Sequence, residues 1–155
     1  MQIARYNAAL ASGWLVTPHI LKNGNSPQPT EAVRVPAETL QLIRDMMVDV
    51  VHYGTGRRGR LPGIDVAGKT GTAQNPHGED HAWFIAFAPA ESPEIAISVI
   101  VENGGQGGSV AAPIARQVFE RYFEIKQQDG VTEAQVVAAL EAERQTVTVD
   151  RLEAQ

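Results

Sequence analysis

The residues best suited to chemistry in this chain lie in the segment 68–74, which reads G-K-T-G-T-A-Q. Lys69 offers an ammonium group, and Thr70 and Thr72 offer hydroxyl donors that can bind a carboxylate or a phosphate. The run 63–70 also fits the phosphate-loop pattern G-x-x-x-x-G-K-[ST] without a mismatch. The flanking sequence has to decide between a nucleotide site and another kind of anion-binding segment.

The sequence on either side of Lys69 favours a strand over a phosphate loop. A phosphate loop follows a buried strand and opens a helix, because N–H groups at a helix N-terminus hold the anion. Residues 57–62 are too polar and too broken by Gly and Pro for a buried strand, and residues 71–78 contain further helix breakers. Alternating residue types and the turn chemistry that follows instead predict a strand over 64–74. Nucleotide binding is therefore the alternative interpretation.

Side chains on such a strand would alternate between the two faces of a sheet. Lys69 and Gly71 would share one face, and Thr70 and Thr72 would share the other. The missing side chain at Gly71 leaves open surface beside the ammonium group, where an anionic group can approach. At a sheet edge, free backbone groups could pair with an extended peptide, and the Thr72 N–H could face a developing oxyanion.

A longer stretch of sequence carries a family resemblance. The K-T-G-T-A-Q segment is followed by H-A-W-F-I-A-F-A-P over 81–89, by an apolar run over 95–101 and by E-N-G-G over 102–105. With the start Q-I-A-R-Y-N-A-A-L-A over 2–11, the chain resembles the end of the transpeptidase domain of class B penicillin-binding proteins. It is most similar to the PBP2-like, cell-elongation type.

The resemblance implies a peptidoglycan D,D-transpeptidase, which cross-links the cell wall through an acyl-enzyme on a serine that β-lactams also acylate. It implies that Lys69, Thr70, Gly71 and Thr72 bind the substrate, with the Thr72 backbone N–H as an oxyanion-hole donor. It also implies peptidoglycan stem peptides and β-lactams as partners and no metal or organic cofactor. The parent protein would be anchored in the membrane and act on the extracytoplasmic face of the bacterial cell.

Only the third of the family's three motifs, S-x-x-K, S-x-N and K-T-G, occurs in the sequence. None of the five serines is followed by Lys three positions later or by Asn two positions later. In the family's order both motifs would precede residue 1, so we expect a carboxy-terminal fragment that lacks the nucleophile and is inactive alone. A β-lactamase-like or D,D-carboxypeptidase hydrolase fragment is an alternative from the same fold, and a non-catalytic interaction module is another.

The family's fold is α+β, of the serine β-lactamase/transpeptidase-like type, with an antiparallel sheet flanked by helices. This chain would supply three strands, with the K-T-G strand outermost and an apolar edge at 95–101 that favours self-association. Residues 1–128 would be the transpeptidase portion, and 129–155 a helical, acidic tail. Local patterns predict strands over 64–74, 81–88 and 95–102, a turn-rich loop over 23–30, and helices over 2–11, from Pro36 to Gly54, from Pro113 to Asp129 and, more weakly, over 132–144.

Composition and the remaining motifs exclude several other classes of function. The net charge of −5 argues against non-specific nucleic-acid binding, and the absence of cysteine excludes disulfides and thiolate metal sites. His77 and His81 flank two acidic residues at a spacing that could bind zinc, but a polar loop explains the same residues, so no metal is predicted. Gly104 to Gly108 would allow a tight passage from strand to helix and could also line a cleft.

Overall fold

The computed structural model describes residues 1–18 and 29–129 of the chain. The chain divides into two compact units, residues 1–116 and residues 117–155. The helix predicted over 132–144 and most of the loop predicted over 23–30 lie outside the described residues. The elements, in chain order, are α1 (Gln2–Ser12), β1 (Trp14–Val16), β2 (Pro29–Ala32), α2 (Ala37–His52), a 3₁₀ turn (Arg57–Gly59), β3 (Ala67–Ala73), β4 (His81–Ala88), β5 (Ile95–Val101) and α3 (Ala111–Asp129).

Most of the predicted elements are present, and the differences lie at their ends. The strand predicted from residue 64 begins only at Ala67, because Gly63 adopts a φ of 72° in a turn and Ile64 forms an isolated bridge with Leu61. The predictions for the loop and the helix that precede β3 also differ from the structure at one end each. The predicted loop over 23–30 ends in a strand, since β2 already includes Pro29 and Thr30, and Pro36 lies just before α2 rather than at its first position.

The predicted start of α3 was also wrong, by two residues. Pro113 is the third residue of α3, which begins at Ala111. A proline is tolerated there because the first four N–H groups of a helix have no partner within the helix. The sequence therefore marks the first turn of this helix but not its first residue.

The central sheet is antiparallel, with strand order β3-β4-β5. Its register places Lys69 opposite Ile85 and Gly71 opposite Trp83. On the other side of β4, Phe84 lies opposite Val99. The predicted position of the K-T-G strand at the outside of the three strands is therefore confirmed, and β5 forms the opposite outer strand. Among the described residues, the second sheet consists of β1 and β2 alone.

Phe84 organises the core on the side of the sheet that packs against α2. Its side chain is fully buried, as is that of Val51 near the end of α2. Gly68 makes this packing possible, because a Cβ at Gly68 would lie 2.6 Å from Phe84 Cζ and 3.1 Å from Val51 Cγ2. A Cβ at Gly59 in the 3₁₀ turn would likewise lie 2.9 Å from Phe84 Cζ. Two glycines thus let the backbone before and within β3 pack directly on one aromatic ring.

Asn7 attaches α1 to the sheet. Its side chain is fully buried, and its Nδ2 donates to the carbonyl oxygen of Ala86 at 2.7 Å and to that of Ile97 at 3.0 Å. These two residues face each other across β4 and β5. One amide group therefore joins a helix to two strands, and both of its N–H protons are used.

The residues of the second unit that the structure describes belong to α3. The rings of Tyr122 and Phe123 meet edge to face with centroids 5.1 Å apart, and Arg121 forms an ion pair with Glu124 at 3.7 Å. Across residues 1–18 and 29–129, no helix is both long enough and apolar enough to cross a bilayer.

Replacing Asn7 with Ala should lower the free energy of unfolding by about 1–3 kcal/mol, because the buried carbonyl oxygen of Ala86 and the partly buried one of Ile97 each lose a donor. Urea denaturation followed by circular dichroism measures this loss. Gln41→Ala is the matched control, since Gln41 is exposed and, within the described part of the chain, its side chain bonds only to Asp45 on the same helix. Equal stabilities of the two variants would contradict the role given to Asn7.

Candidate functional site

An open cleft with a volume of about 540 Å³ lies beside the middle of β3. Three segments form it: β3 itself, the connector that follows α2 (residues 53–60), and the glycine-rich turn that precedes α3 (residues 104–109). The lining residues are Gly54, Thr55, Arg57, Arg58, Thr70, Gly71, Thr72, Gln106, Gly107, Gly108 and Ser109.

The position of Lys69 inside a strand rules out the phosphate-loop alternative. Residues 67–73 form β3, which pairs with β4 along its whole length. A phosphate loop requires a helix N-terminus directly after the lysine, whereas here the chain continues as a strand. The nucleotide-binding interpretation of residues 63–70 is therefore wrong.

The threonines of the K-T-G-T segment face the cleft, and the lysine does not. The hydroxyl oxygens of Thr70 and Thr55 lie 2.6 Å apart, which joins β3 to the connector. Lys69 is exposed, and its Nζ donates to the Thr70 carbonyl oxygen at 2.7 Å. The predicted separation of Lys69 from Thr70 and Thr72 on alternate sides of the strand agrees with this arrangement.

The glycine-rich turn approaches the sheet so closely that side chains are excluded. A Cβ at Gly107 would collide with the Trp83 carbonyl oxygen and would lie 2.5 Å from that of Gly71. A Cβ at Gly108 would collide with the Thr55 carbonyl oxygen. Both roles predicted for this glycine-rich turn are therefore present, because Gly107 and Gly108 allow the close passage into the helix and also line the cleft.

Two arginines of the connector complete the cleft. Arg58 crosses to the glycine-rich turn, where its Nη1 donates to the Ser109 carbonyl oxygen at 3.1 Å. Arg57 is exposed and lines the same cleft. Sequence reasoning missed both arginines as site residues, because Arg57 and Thr70 are thirteen positions apart and nothing local to either one indicates the other.

The loop between β3 and β4 is held by hydrogen bonds among polar side chains and backbone groups. Asn75 Nδ2 donates to Asn103 Oδ1 at 2.7 Å, and the Asn103 N–H donates to His81 Nδ1 at 3.0 Å. Among the described residues, no group of three or more His, Cys, Asp or Glu side chains is placed to hold a metal ion. His77 thus belongs to the loop between β3 and β4, and His81 is the first residue of β4, where it accepts a hydrogen bond from the residue Asn103 after β5.

Comparison with known proteins places these features in a family context. The sequence profile of the penicillin-binding protein transpeptidase domain matches residues 1–120. The peptidoglycan D,D-transpeptidase MrdA of Acinetobacter baumannii is 36% identical over 148 residues, an alignment that covers 79% of this chain and 22% of that protein.

Solved structures show the same relationship. Pseudomonas aeruginosa PBP2 in complex with WCK 5153 is 38% identical with a TM-score of 0.64, over 77% of this chain and 28% of that one. Penicillin-binding protein A from M. tuberculosis, as a ceftriaxone acyl-enzyme complex, is 31% identical with a TM-score of 0.67, over 76% and 30% of the two chains. The chain thus spans less than a third of the length of each of these relatives.

Replacing Gly107 with Ala should destabilise the protein by about 1–3 kcal/mol, because the new methyl group forces the turn away from β3 and β4. Urea denaturation measures the loss. Gln106→Ala is the matched control, since Gln106 occupies the adjacent position and its side chain is exposed. A Gly107→Ala variant as stable as the control would show that the turn does not need this close approach.

Proposed function

Because the chain belongs to the penicillin-binding protein transpeptidase family, we propose that it supplies the carboxy-terminal part of a peptidoglycan D,D-transpeptidase domain. The whole domain would cross-link stem peptides on the extracytoplasmic face of the bacterial membrane, and β-lactams would acylate its serine. The observation that carries this proposal is the K-T-G segment on an outer strand beside an open cleft. The acyl-enzyme named for the M. tuberculosis relative supports the β-lactam part of the proposal.

The substrate would bind through the side chains of the K-T-G-T segment. Thr70 and Thr72 offer hydroxyl donors at the cleft, and the exposed Lys69 ammonium group lies at the same strand. A peptide's terminal carboxylate accepts hydrogen bonds from such groups, and bonds to a charged acceptor are stronger than neutral ones. Gly71 leaves the strand without a side chain that would block an approaching backbone.

The Thr72 backbone N–H would stabilise the oxyanion. Alternate residues of a strand direct their backbone groups to the same side, so the Thr72 N–H points the same way as the Thr70 carbonyl oxygen. That oxygen accepts a bond from the exposed Lys69 side chain, which supports an orientation away from β4. A free N–H at this edge is a suitable donor for a charge that develops on the substrate's carbonyl oxygen.

The reaction would be a double acyl transfer. The serine of the family's S-x-x-K motif, which this sequence does not contain, would attack the carbonyl carbon of the penultimate residue, and the peptide C–N bond would break so that the terminal amino acid leaves with a proton. The resulting ester is then attacked by the amine of a second stem peptide, which restores the serine and forms the cross-link. This chain would contribute carboxylate binding and oxyanion stabilisation, neither of which requires a metal ion.

A chimera tests the proposed function. Residues 1–129 replace the corresponding segment of the A. baumannii relative, and acylation by a fluorescent penicillin is measured on a denaturing gel. We expect the chimera to be labelled, the chain alone to remain unlabelled, and Lys69→Ala to slow acylation by about tenfold to a hundredfold, since a charged hydrogen-bond donor is lost.

The control for this experiment is Arg34→Ala in the same chimera. Arg34 is a strongly exposed cation whose partner is Glu31, outside the cleft. A correctly folded chimera that is not labelled, or one in which Lys69→Ala and Arg34→Ala acylate alike, would contradict the proposed role of the K-T-G strand.

The proposal also assigns a role to β5, the outer strand opposite β3. In the complete domain, further strands would pair with β5 and cover it. In this chain all seven residues of β5 are at least partly exposed, and the Ile100 side chain is 46% exposed. An apolar strand with unpaired backbone groups tends to associate with a second copy of itself.

The isolated chain is therefore expected to self-associate, and Ile100→Lys should shift it towards monomer, because a charge on an edge strand opposes pairing. Sedimentation velocity over a range of protein concentrations measures the effect. Leu42→Lys serves as the control, since Leu42 is an exposed apolar residue of α2. A monodisperse wild-type monomer would disprove self-association at this edge.

A further inference from the structure

We propose that Arg57, a residue outside the family's three motifs, adds a positive charge to the carboxylate site of the K-T-G strand and thereby helps to determine its specificity. The ligand would be the free carboxylate of a stem peptide, so this inference rests on the proposed function and adds a residue that determines its specificity. The grounds are the charge of the cleft, the free donors of Arg57 and the hydroxyl groups that surround it.

The charge of the cleft is opposite to that of the whole chain. Arg57 and Arg58 both line it, and none of the other lining residues is acidic. The chain as a whole carries a net charge of −5. Like charges gathered without a counter-ion repel each other, and a bound anion relieves that repulsion. The local excess of positive charge therefore favours an anionic ligand.

The two arginines have different tasks. The Arg58 guanidinium already donates to the Ser109 carbonyl oxygen, which links the connector to the glycine-rich turn. The Arg57 guanidinium has no hydrogen bond or ion pair with any residue in the described part of the chain. Its planar, forked donors match the two oxygens of a carboxylate. Arg58 therefore holds the cleft in shape, and Arg57 is the residue available to the ligand.

The hydroxyl groups of Thr55 and Thr70 supply a further donor. They lie 2.6 Å apart, and either oxygen can be the donor in that bond. Two hydroxyls have two protons, so one proton joins the pair and the second is free for an acceptor in the cleft. The Lys69 ammonium group is bound to the Thr70 carbonyl oxygen and does not line the cleft. A carboxylate here would thus meet Arg57 and a threonine hydroxyl directly, and the Lys69 ammonium group would reach it only by leaving the Thr70 carbonyl oxygen.

A peptide carboxylate fits this position better than other anions. The cleft adjoins an outer strand, along which an extended peptide can form backbone hydrogen bonds. A peptide bound in this way ends in a carboxylate, and the cleft offers charge and hydroxyl donors where the strand side chains Thr70 and Thr72 point. Inorganic phosphate shares the anionic chemistry but lacks the backbone groups that would pair with the strand.

The test is a titration of the isotopically labelled chain with N-acetyl-D-Ala-D-Ala, followed by NMR at the amide signals of Thr72, Gly107 and Gly108. We expect saturable shifts at these amides, and an affinity about tenfold or more lower for the C-terminal amide of the same dipeptide. Arg57→Ala should also weaken binding of the free acid by about tenfold, and Arg57→Lys should restore part of it, because the charge returns without the fork.

Arg60→Ala is the matched control, since Arg60 belongs to the same basic run, is exposed and does not line the cleft. It should bind the dipeptide as the wild type does. Inorganic phosphate is titrated in parallel and should bind more weakly than the free acid.

Three results would overturn the inference: no shifts at the cleft amides, equal affinity for acid and amide, or equal loss in Arg57→Ala and Arg60→Ala. Tighter binding of phosphate than of the dipeptide would also overturn it, because the site would then favour a different anion. The titration needs no serine nucleophile, so its failure is distinct from a failure of the chimera to react with penicillin. If the chimera reacts with penicillin but Arg57→Ala does not change dipeptide binding, the proposed function is supported and the role of Arg57 is disproved.

Discussion

The pairing of β3 on one side only is the constraint on which the rest of the site depends. β3 pairs with β4 along its whole length, and the described sheet has no further strand on the other side of β3. One edge of β3, with its row of backbone groups, is therefore open. The cleft forms at that edge, and the Thr70 hydroxyl reaches the connector from it. A central strand could not present the same residues, because its backbone groups would be paired on both sides.

Glycine is the means by which other segments come close enough to this strand to build a site. Gly68 lets β3 lie on the ring of Phe84, and Gly107 lets the turn before α3 lie against the carbonyl oxygens of β3 and β4. A methyl group at Gly68 would collide with the buried Phe84 ring, and one at Gly107 would collide with backbone oxygens. The absence of a side chain at these glycines therefore allows both the dense packing of the core and the narrow approach that sets the width of the cleft.

The positive charges near the cleft lie in two different segments, the K-T-G strand and the connector. Lys69 is bound to the backbone of its own strand, while the charge that lines the cleft comes from the connector. Each positive group is exposed, so its attraction for an anion is weakened by solvent unless the ligand also excludes water. Hydrogen bonds from neighbouring hydroxyls and from the strand edge would fix the orientation of the bound anion, which charge alone does not do.

The sequence by itself determined the family, the three strands, and the alternation that sets Lys69 apart from Thr70 and Thr72. These properties are local, since a strand repeats every two residues and the K-T-G-T-A-Q and W-F-I-A-F-A-P segments are contiguous. It did not determine that the strand begins at Ala67, because a turn at Gly63 interrupts the apolar alternation. Only the tertiary structure decided that Arg57, Thr55 and Gly107 meet β3 in one cleft. Each of them lies more than ten positions from Thr70 along the chain, which exceeds any helical or strand period, so packing alone brings them to this strand.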